Sequence, residues 1–187
     1  MPGAKYGAIF DVGADQYGYL TVEQAREVGV RPKTLHAMAR RGTLQHVSSG
    51  LYRISAISPS PRAELMQASL WPRGVRGVIS HDSALVLHGL SDVNPARIHV
   101  TVPRRHRILR RVPSLYVVHR LDVPAREVEH VGGIPVTSPA RTIRDCHAAH
   151  LGRTLVRQAV EDGLRIGLLC PAEAERLSSE LLGERLR

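Results

Sequence analysis

Between Thr21 and Gly42 the chain carries the punctuation of two short helices set one turn apart. Thr21 is a strong N-cap, and Gln24 three residues later completes a capping box. Gly29 suits the left-handed position that ends a helix, and Pro32, after Arg31, suits the first position of the next. That next helix runs to Arg41 and stops at Gly42. Two short helices joined by a turn of about three or four residues form a helix-turn-helix. An earlier helix is expected from Tyr6 to Ala14, ended by Asp15-Gln16-Tyr17-Gly18. Strands over Thr43 to Val47 and Leu51 to Ile54, joined by Ser48-Ser49-Gly50, read as a hairpin directly behind the last helix. Helices in this order with a hairpin behind them make a winged helix-turn-helix, assigned to residues 1–58.

Beyond the Ser-Pro-Ser-Pro linker that ends at Pro61, the pattern changes. Helices are expected over Arg62 to Leu70 and from a Ser80 cap to His88, and strands over Ile98 to Val102 and Leu115 to Val118. A strand pair surrounds Gly132-Gly133, Ser138-Pro139 opens a further helix, and the tail is helical with a break at Cys170-Pro171. The fold class is therefore α/β in the broad sense (α+β): a winged helix-turn-helix followed by a mixed α/β domain over residues 59–187 with a helical C-terminus.

Charge is placed rather than spread. The 187 residues hold 26 Lys and Arg against 17 Asp and Glu, a net charge of +9 that makes a polyanion the default partner. No acid occurs from Val28 to Ala63 or from Val93 to Leu121, and both gaps are rich in arginine. From Leu151 to Arg187, six Arg face six acids. No long basic amphipathic helix is present to lie on a membrane surface, no stretch approaches the length of a span, and the N-terminus lacks a signal-type apolar run. Two cysteines are too few for a secreted disulfide scaffold, so a reduced, cytoplasmic location is expected.

In the second helix of the pair, Leu35, Met38 and Ala39 fall at core spacing. Lys33, Thr34, Ala37 and Arg41 then face outward, flanked by Arg31, His36 and Arg40. Such a helix can read base edges in the major groove of double-stranded DNA: Arg and Lys suit guanine, and Thr or Ala suits the thymine methyl. Ser48, Ser49 and Arg53 on the hairpin are placed to hold phosphate or to probe the minor groove. Arg104, Arg105, Arg107, Arg110 and Arg111 form a second basic surface, which is a solvated loop, a phosphate-binding surface, or a face for an acidic protein or RNA.

Other chemistry is not supported. Cys146 and His150 stand four apart and His81 and His88 seven apart, but no second close-spaced pair completes a zinc set, so no metal or cofactor is expected. Ser80-His81-Asp82 name the members of a catalytic triad, yet three consecutive residues do not place a base between two partners; Ser80 as N-cap with Asp82 in the first turn accounts for them. A restriction-type nuclease needs a lysine beside its carboxylates, and no lysine follows Lys33. The chain is expected not to be an enzyme.

The helix-turn-helix and wing, followed by Val78-Ile79-Ser80-His81-Asp82-Ser83-Ala84-Leu85 and Leu87-His88-Gly89-Leu90, resemble the AbiEi-like antitoxins. Ile98-His99-Val100-Thr101-Val102-Pro103 and the run from Gly133 to Thr142 fit the same family, and the likeness covers about Gly18 to Asp145. The resemblance implies a transcriptional autorepressor of a type IV toxin-antitoxin operon. Its partners would be repeats in its own operator and a cognate nucleotidyltransferase-like toxin, countered without a stable complex. It supplies no catalytic or metal-binding residues. The alternative from the residues alone is a plain winged-helix repressor whose second domain senses a ligand.

Overall fold

The first helix, α1 (Ala4–Ala14), turns Ile9 into the N-terminal core, with Tyr6 and Val12 packed beside it. Tyr17 and Gly18 then take positive φ values of 54° and 92° to bring the chain back as β1 (Tyr19–Thr21). This computed structural model describes residues 3–184. The expected capping box forms: Gln24 N donates to Thr21 Oγ1 at 3.2 Å, and Thr21 N donates to Gln24 Oε1 at 3.0 Å. It opens α2 (Val22–Glu27), and Pro32 at the first helical position opens α3 (Pro32–Arg40).

The wing is β2 (Leu44–Ser48) and β3 (Leu51–Ile54), with Gly50 at φ 79° in the turn. The Tyr19-Leu20 segment that leads into α2 is itself a strand. β1 pairs antiparallel with β3 on the side away from β2, so the sheet order is β1-β3-β2. Three strands with a hydrophobic face on three helices form a stable unit where a lone hairpin would not. Its centre is Ile9, Leu20, Ala25, Val30, Leu35, Leu44, Tyr52 and Ile54, each at most 1% exposed.

The chain divides into two compact units, Met1–Gly77 and Val78–Arg187. Ending the winged-helix domain at residue 58 leaves out α4 (Ala63–Leu70), which the compact unit includes. Polar ties explain why. The Tyr19 hydroxyl donates to Gln67 Oε1 at 2.8 Å, and Arg76 Nη1 donates to Gln16 Oε1 at 2.7 Å. Neither tie is visible as local periodicity.

The second unit is built on a five-stranded mixed sheet: β4 (Val78–Ile79), β5 (Ile98–Val102), β6 (Tyr116–Arg120), β7 (Val128–Val131) and β8 (Ile134–Thr137), in the order β6-β5-β4-β8-β7. β5 and β6 run parallel, as do β4 and β8; the other neighbours are antiparallel. Gly132 and Gly133 both take positive φ, 57° and 77°, which is what a two-residue hairpin turn between β7 and β8 requires. The helices are α5 (His81–His88), α6 (Pro139–Ala148), α7 (Arg153–Arg165) and α8 (Pro171–Leu177), the last continuing into a π-helical turn over Ser178–Leu182. Their shared core includes Leu85, Leu90, Ile143, Cys146, Val156, Val160 and Leu177. Among the described residues no helix is long and apolar enough to cross a membrane.

Candidate functional site

α3 buries Leu35 and Met38 and leaves Lys33, His36 and Arg40 exposed, with Arg31 and Arg41 exposed at its two ends. Thr34 and Ala37 lie half-buried between the cations. With about 100° of turn per residue Lys33, Thr34, His36, Ala37, Arg40 and Arg41 share one broad face, opposite the buried pair, while Arg31 is the extended N-cap residue ahead of the first turn. No acid stands on that face. The wing holds on to the same helix: the Tyr52 hydroxyl lies 3.1 Å from His36 Nδ1, and the His46 and Tyr52 rings are 5.2 Å apart.

The expected wing residues separate. Ser49 is exposed at the turn and Ser48 is half-buried beside it. Arg53 is not at the tip. It sits on the middle strand, and its Nη2 donates to the Ile57 carbonyl at 2.6 Å, so its guanidinium is engaged by the chain itself. Sequence reasoning misses Arg73, whose guanidinium flanks Gly50 of the wing turn and pairs with Glu23 at 3.6 Å. It follows α4, and no local pattern links it to the hairpin.

In the second unit the arginine block occupies the irregular connection between the parallel strands β5 and β6. Arg104, Arg105, Arg107 and Arg111 are exposed, and Arg110 is half-buried. The start of this loop is pinned by Arg104 N, which donates to Asp122 Oδ1 at 3.0 Å.

The histidines group differently from either spacing considered in the sequence. His88 is buried and its Nε2 meets the Thr137 carbonyl at 2.8 Å; Cys146 is buried with its thiol donating to Asp82 Oδ1 at 3.7 Å, while His150 is exposed. Instead His81, His99 and His119 converge, with ligand nitrogens all within 4.8 Å of one another. Sheet register causes this. Thr101 is the partner of both Val78 and His119, so His99, Thr101 and His119 share one face of the sheet. His81 opens α5 beside them, its ring stacked on His119 at 3.6 Å and 11°.

Ser80 also departs from its expected role. It occupies the N-cap position, but its side chain makes no capping bond. Its Oγ accepts from Thr101 Oγ1 at 2.8 Å and lies 3.0 Å from His81 Nδ1. His81 has φ 52°, an uncommon value for a residue with a Cβ, and consecutive side chains thereby meet. Burial pushes His81 down from the usual histidine range to about 3, helped by His119, His99 and Arg141. Burial likewise lowers His119 to about 4, with His99 adding and Asp82 opposing. His99 is lowered by burial too, against the pull of Asp82. Three neutral imidazoles therefore lie side by side at neutral pH.

Comparison with known proteins agrees with both units. A model of the transcriptional regulator, AbiEi antitoxin, matches residues 8–55, and a model of the AbiEi antitoxin C-terminal domain matches residues 75–167. A crystal structure of the RV2827C protein from Mycobacterium tuberculosis has a similar fold, with a TM-score of 0.55 at 17% identity over 94% of this chain and 71% of that one. No curated protein matches the chain significantly. With one model on the winged helix and the other on the β4 to α7 region, the chain belongs to the AbiEi antitoxin family of transcriptional regulators.

Proposed function

We propose that this antitoxin represses its own operon by laying α3 in the major groove of operator repeats, and that it counters a nucleotidyltransferase-like toxin without forming a stable complex with it. The observation that carries the DNA-binding half is the acid-free face of α3, with Lys33, Thr34, His36, Ala37, Arg40 and Arg41 on one side of a helix anchored by Leu35 and Met38 and Arg31 exposed at its N-cap. Lys33, Thr34, Ala37 and Arg41 are assigned to base edges, and Arg31, His36 and Arg40 to the flanking backbone. Ser48, Ser49 and Arg73 on and beside the wing turn are assigned to phosphate or the adjacent minor groove. Arg53 is assigned to the fold. On this reading the chain acts by binding and not by catalysis.

Footprinting on the chain's own upstream region tests the first half. Protection of repeated half-sites that disappears in Lys33→Ala supports it, and protection no better than on random DNA sinks it. Co-expression with a nucleotidyltransferase encoded next to it tests the second. Rescue of growth by the full chain, with no co-purification, is the expected result. A repressor whose second unit senses a small ligand is the competing reading, and the three neutral imidazoles on that unit favour it. A transporter or metabolic enzyme as the neighbouring gene would decide for it.

A further inference from the structure

We propose that His81, His99 and His119 form a binding site for one divalent late first-row transition ion, zinc being the natural probe. Three side chains from three separate elements, α5, β5 and β6, bring their nitrogens within 4.8 Å of one another. His99 Nδ1 and His119 Nε2 are 3.2 Å apart. A tetrahedral ion with nitrogen ligands at about 2.0–2.1 Å holds neighbouring ligands about 3.3 Å apart, so this pair already has the span of two zinc ligands. His81 completes the set once its ring tilts out of the stack on His119 with Nδ1 kept within reach of Ser80 Oγ.

The surroundings match what such a site needs. A ligating histidine has its second nitrogen held by a hydrogen-bonding partner, which fixes the tautomer and aims the lone pair. Ser80 Oγ at 3.0 Å from His81 Nδ1, itself fixed by Thr101 at 2.8 Å, is that partner, and it leaves His81 Nε2 as the donor atom. The His99 backbone N–H is fixed by Ser83 Oγ at 2.9 Å, which holds β5 at the ring. His81 keeps a left-handed backbone at φ 52° to reach the cluster, the kind of local strain that collects at functional positions. Asp82, in the first turn of α5 directly after His81, supplies a carboxylate that offsets part of the charge of an ion. Imidazole donors select zinc, cobalt, nickel or copper over magnesium and calcium. His99 and His119 are only half-buried, so an ion can enter and a fourth position stays open to water or a small anion.

The test uses the full chain without a polyhistidine tag, stripped with chelator and titrated with Zn²⁺ and with Co²⁺ as a coloured reporter. One ion per chain and a tetrahedral cobalt spectrum without thiolate charge-transfer bands are expected, with no response to Mg²⁺ or Ca²⁺. His99→Gln and His119→Gln should each abolish stoichiometric binding, Ser80→Ala should weaken it about 10–100-fold, and His150→Ala and Cys170→Ser should leave it unchanged. Because buried His81 supports its own backbone turn, its variants can lose the fold. X-ray absorption of the zinc-loaded wild-type chain therefore provides a reading independent of any variant, expected to show three imidazoles at about 2.0 Å. No stoichiometric ion in the wild-type chain, binding that survives both glutamine variants, or a sulfur-containing shell would each overturn the assignment. Operator binding is measured separately, and its outcome has no bearing on whether the ion binds.

Discussion

The Tyr52 hydroxyl and His36 Nδ1 lie 3.1 Å apart, so a residue at the core of the wing sheet reaches out to the exposed face of α3. Tyr52 is 1% exposed and its ring meets His36 edge-on at 6.0 Å. α3 and the wing beside it are therefore coupled through one buried aromatic. Tyr52→Phe keeps the buried ring and removes only the bond. The expected cost is about 0.5–1.5 kcal/mol of stability, with weaker operator binding because His36 is no longer held. Thermal denaturation and gel shift measure the two effects, and if neither moves, the bond is not what orients α3.

Lys33 and Arg41 stand on the outward face of α3, whereas the Arg53 guanidinium is held by the Ile57 carbonyl at 2.6 Å. The three variants should behave differently. Lys33→Ala and Arg41→Ala should narrow the gap between operator and random DNA by roughly 1–3 kcal/mol for each base-edge interaction they remove. Arg53→Ala should lower the melting temperature and leave the salt dependence of binding as it was. If instead the Arg53 variant has a shallower log-log salt slope by about 0.9, that side chain holds a phosphate after all.

Gly163 lies in the last turn of α7 with Leu169 Cδ1 2.7 Å and Cγ 2.9 Å from where a Cβ would stand. Leu169 is 3% exposed and has little room to retreat. Gly163→Ala should therefore lose about 1–3 kcal/mol to overpacking even though alanine favours a helix. Gly7 in α1 faces open space, so Gly7→Ala should gain about 0.5–1 kcal/mol. Denaturant titration of the full-length variants gives both signs, and stabilisation by Gly163→Ala would mean that Leu169 repacks freely.

The winged helix is legible in the chain because its signals are local. Thr21 and Gln24, Gly29, Pro32 and Gly42 each act on the residues beside them, and every one of those boundaries forms within a residue or two of where its signal stands. The Gly132-Gly133 hairpin is legible for the same reason. What escapes depends on long-range register. β1 exists only because β3 offers it an edge, and Arg73 meets the wing turn only through the path of the chain around α4. The histidine cluster is the clearest case. His81, His99 and His119 lie far apart in sequence, and nothing local says that Thr101 will pair with both Val78 and His119. Ser80 reads as a cap because its position is a cap, but its hydroxyl is claimed by Thr101 and His81 instead.

The arginine loop between β5 and β6 offers the last prediction. Arg104, Arg105, Arg107 and Arg111 project from a connection with no helix or strand of its own, and Leu109 among them is 93% exposed. Exposed cations on a loop gain little from protein partners, but each one that holds a DNA phosphate releases counterions and steepens the salt dependence. Replacing these four with glutamine should leave the fold intact, because none has its side chain in the core. Operator affinity should fall, the preferred sequence should stay the same, and the log-log salt slope should flatten by at most about 0.9 for each arginine that held a phosphate. Gel shifts at several salt concentrations, with wild type and variant side by side, read all three quantities. An unchanged slope removes the loop from the DNA interface. If that same variant then fails to rescue cells from the neighbouring toxin, the loop and its exposed leucine belong to the antitoxin activity of the second unit.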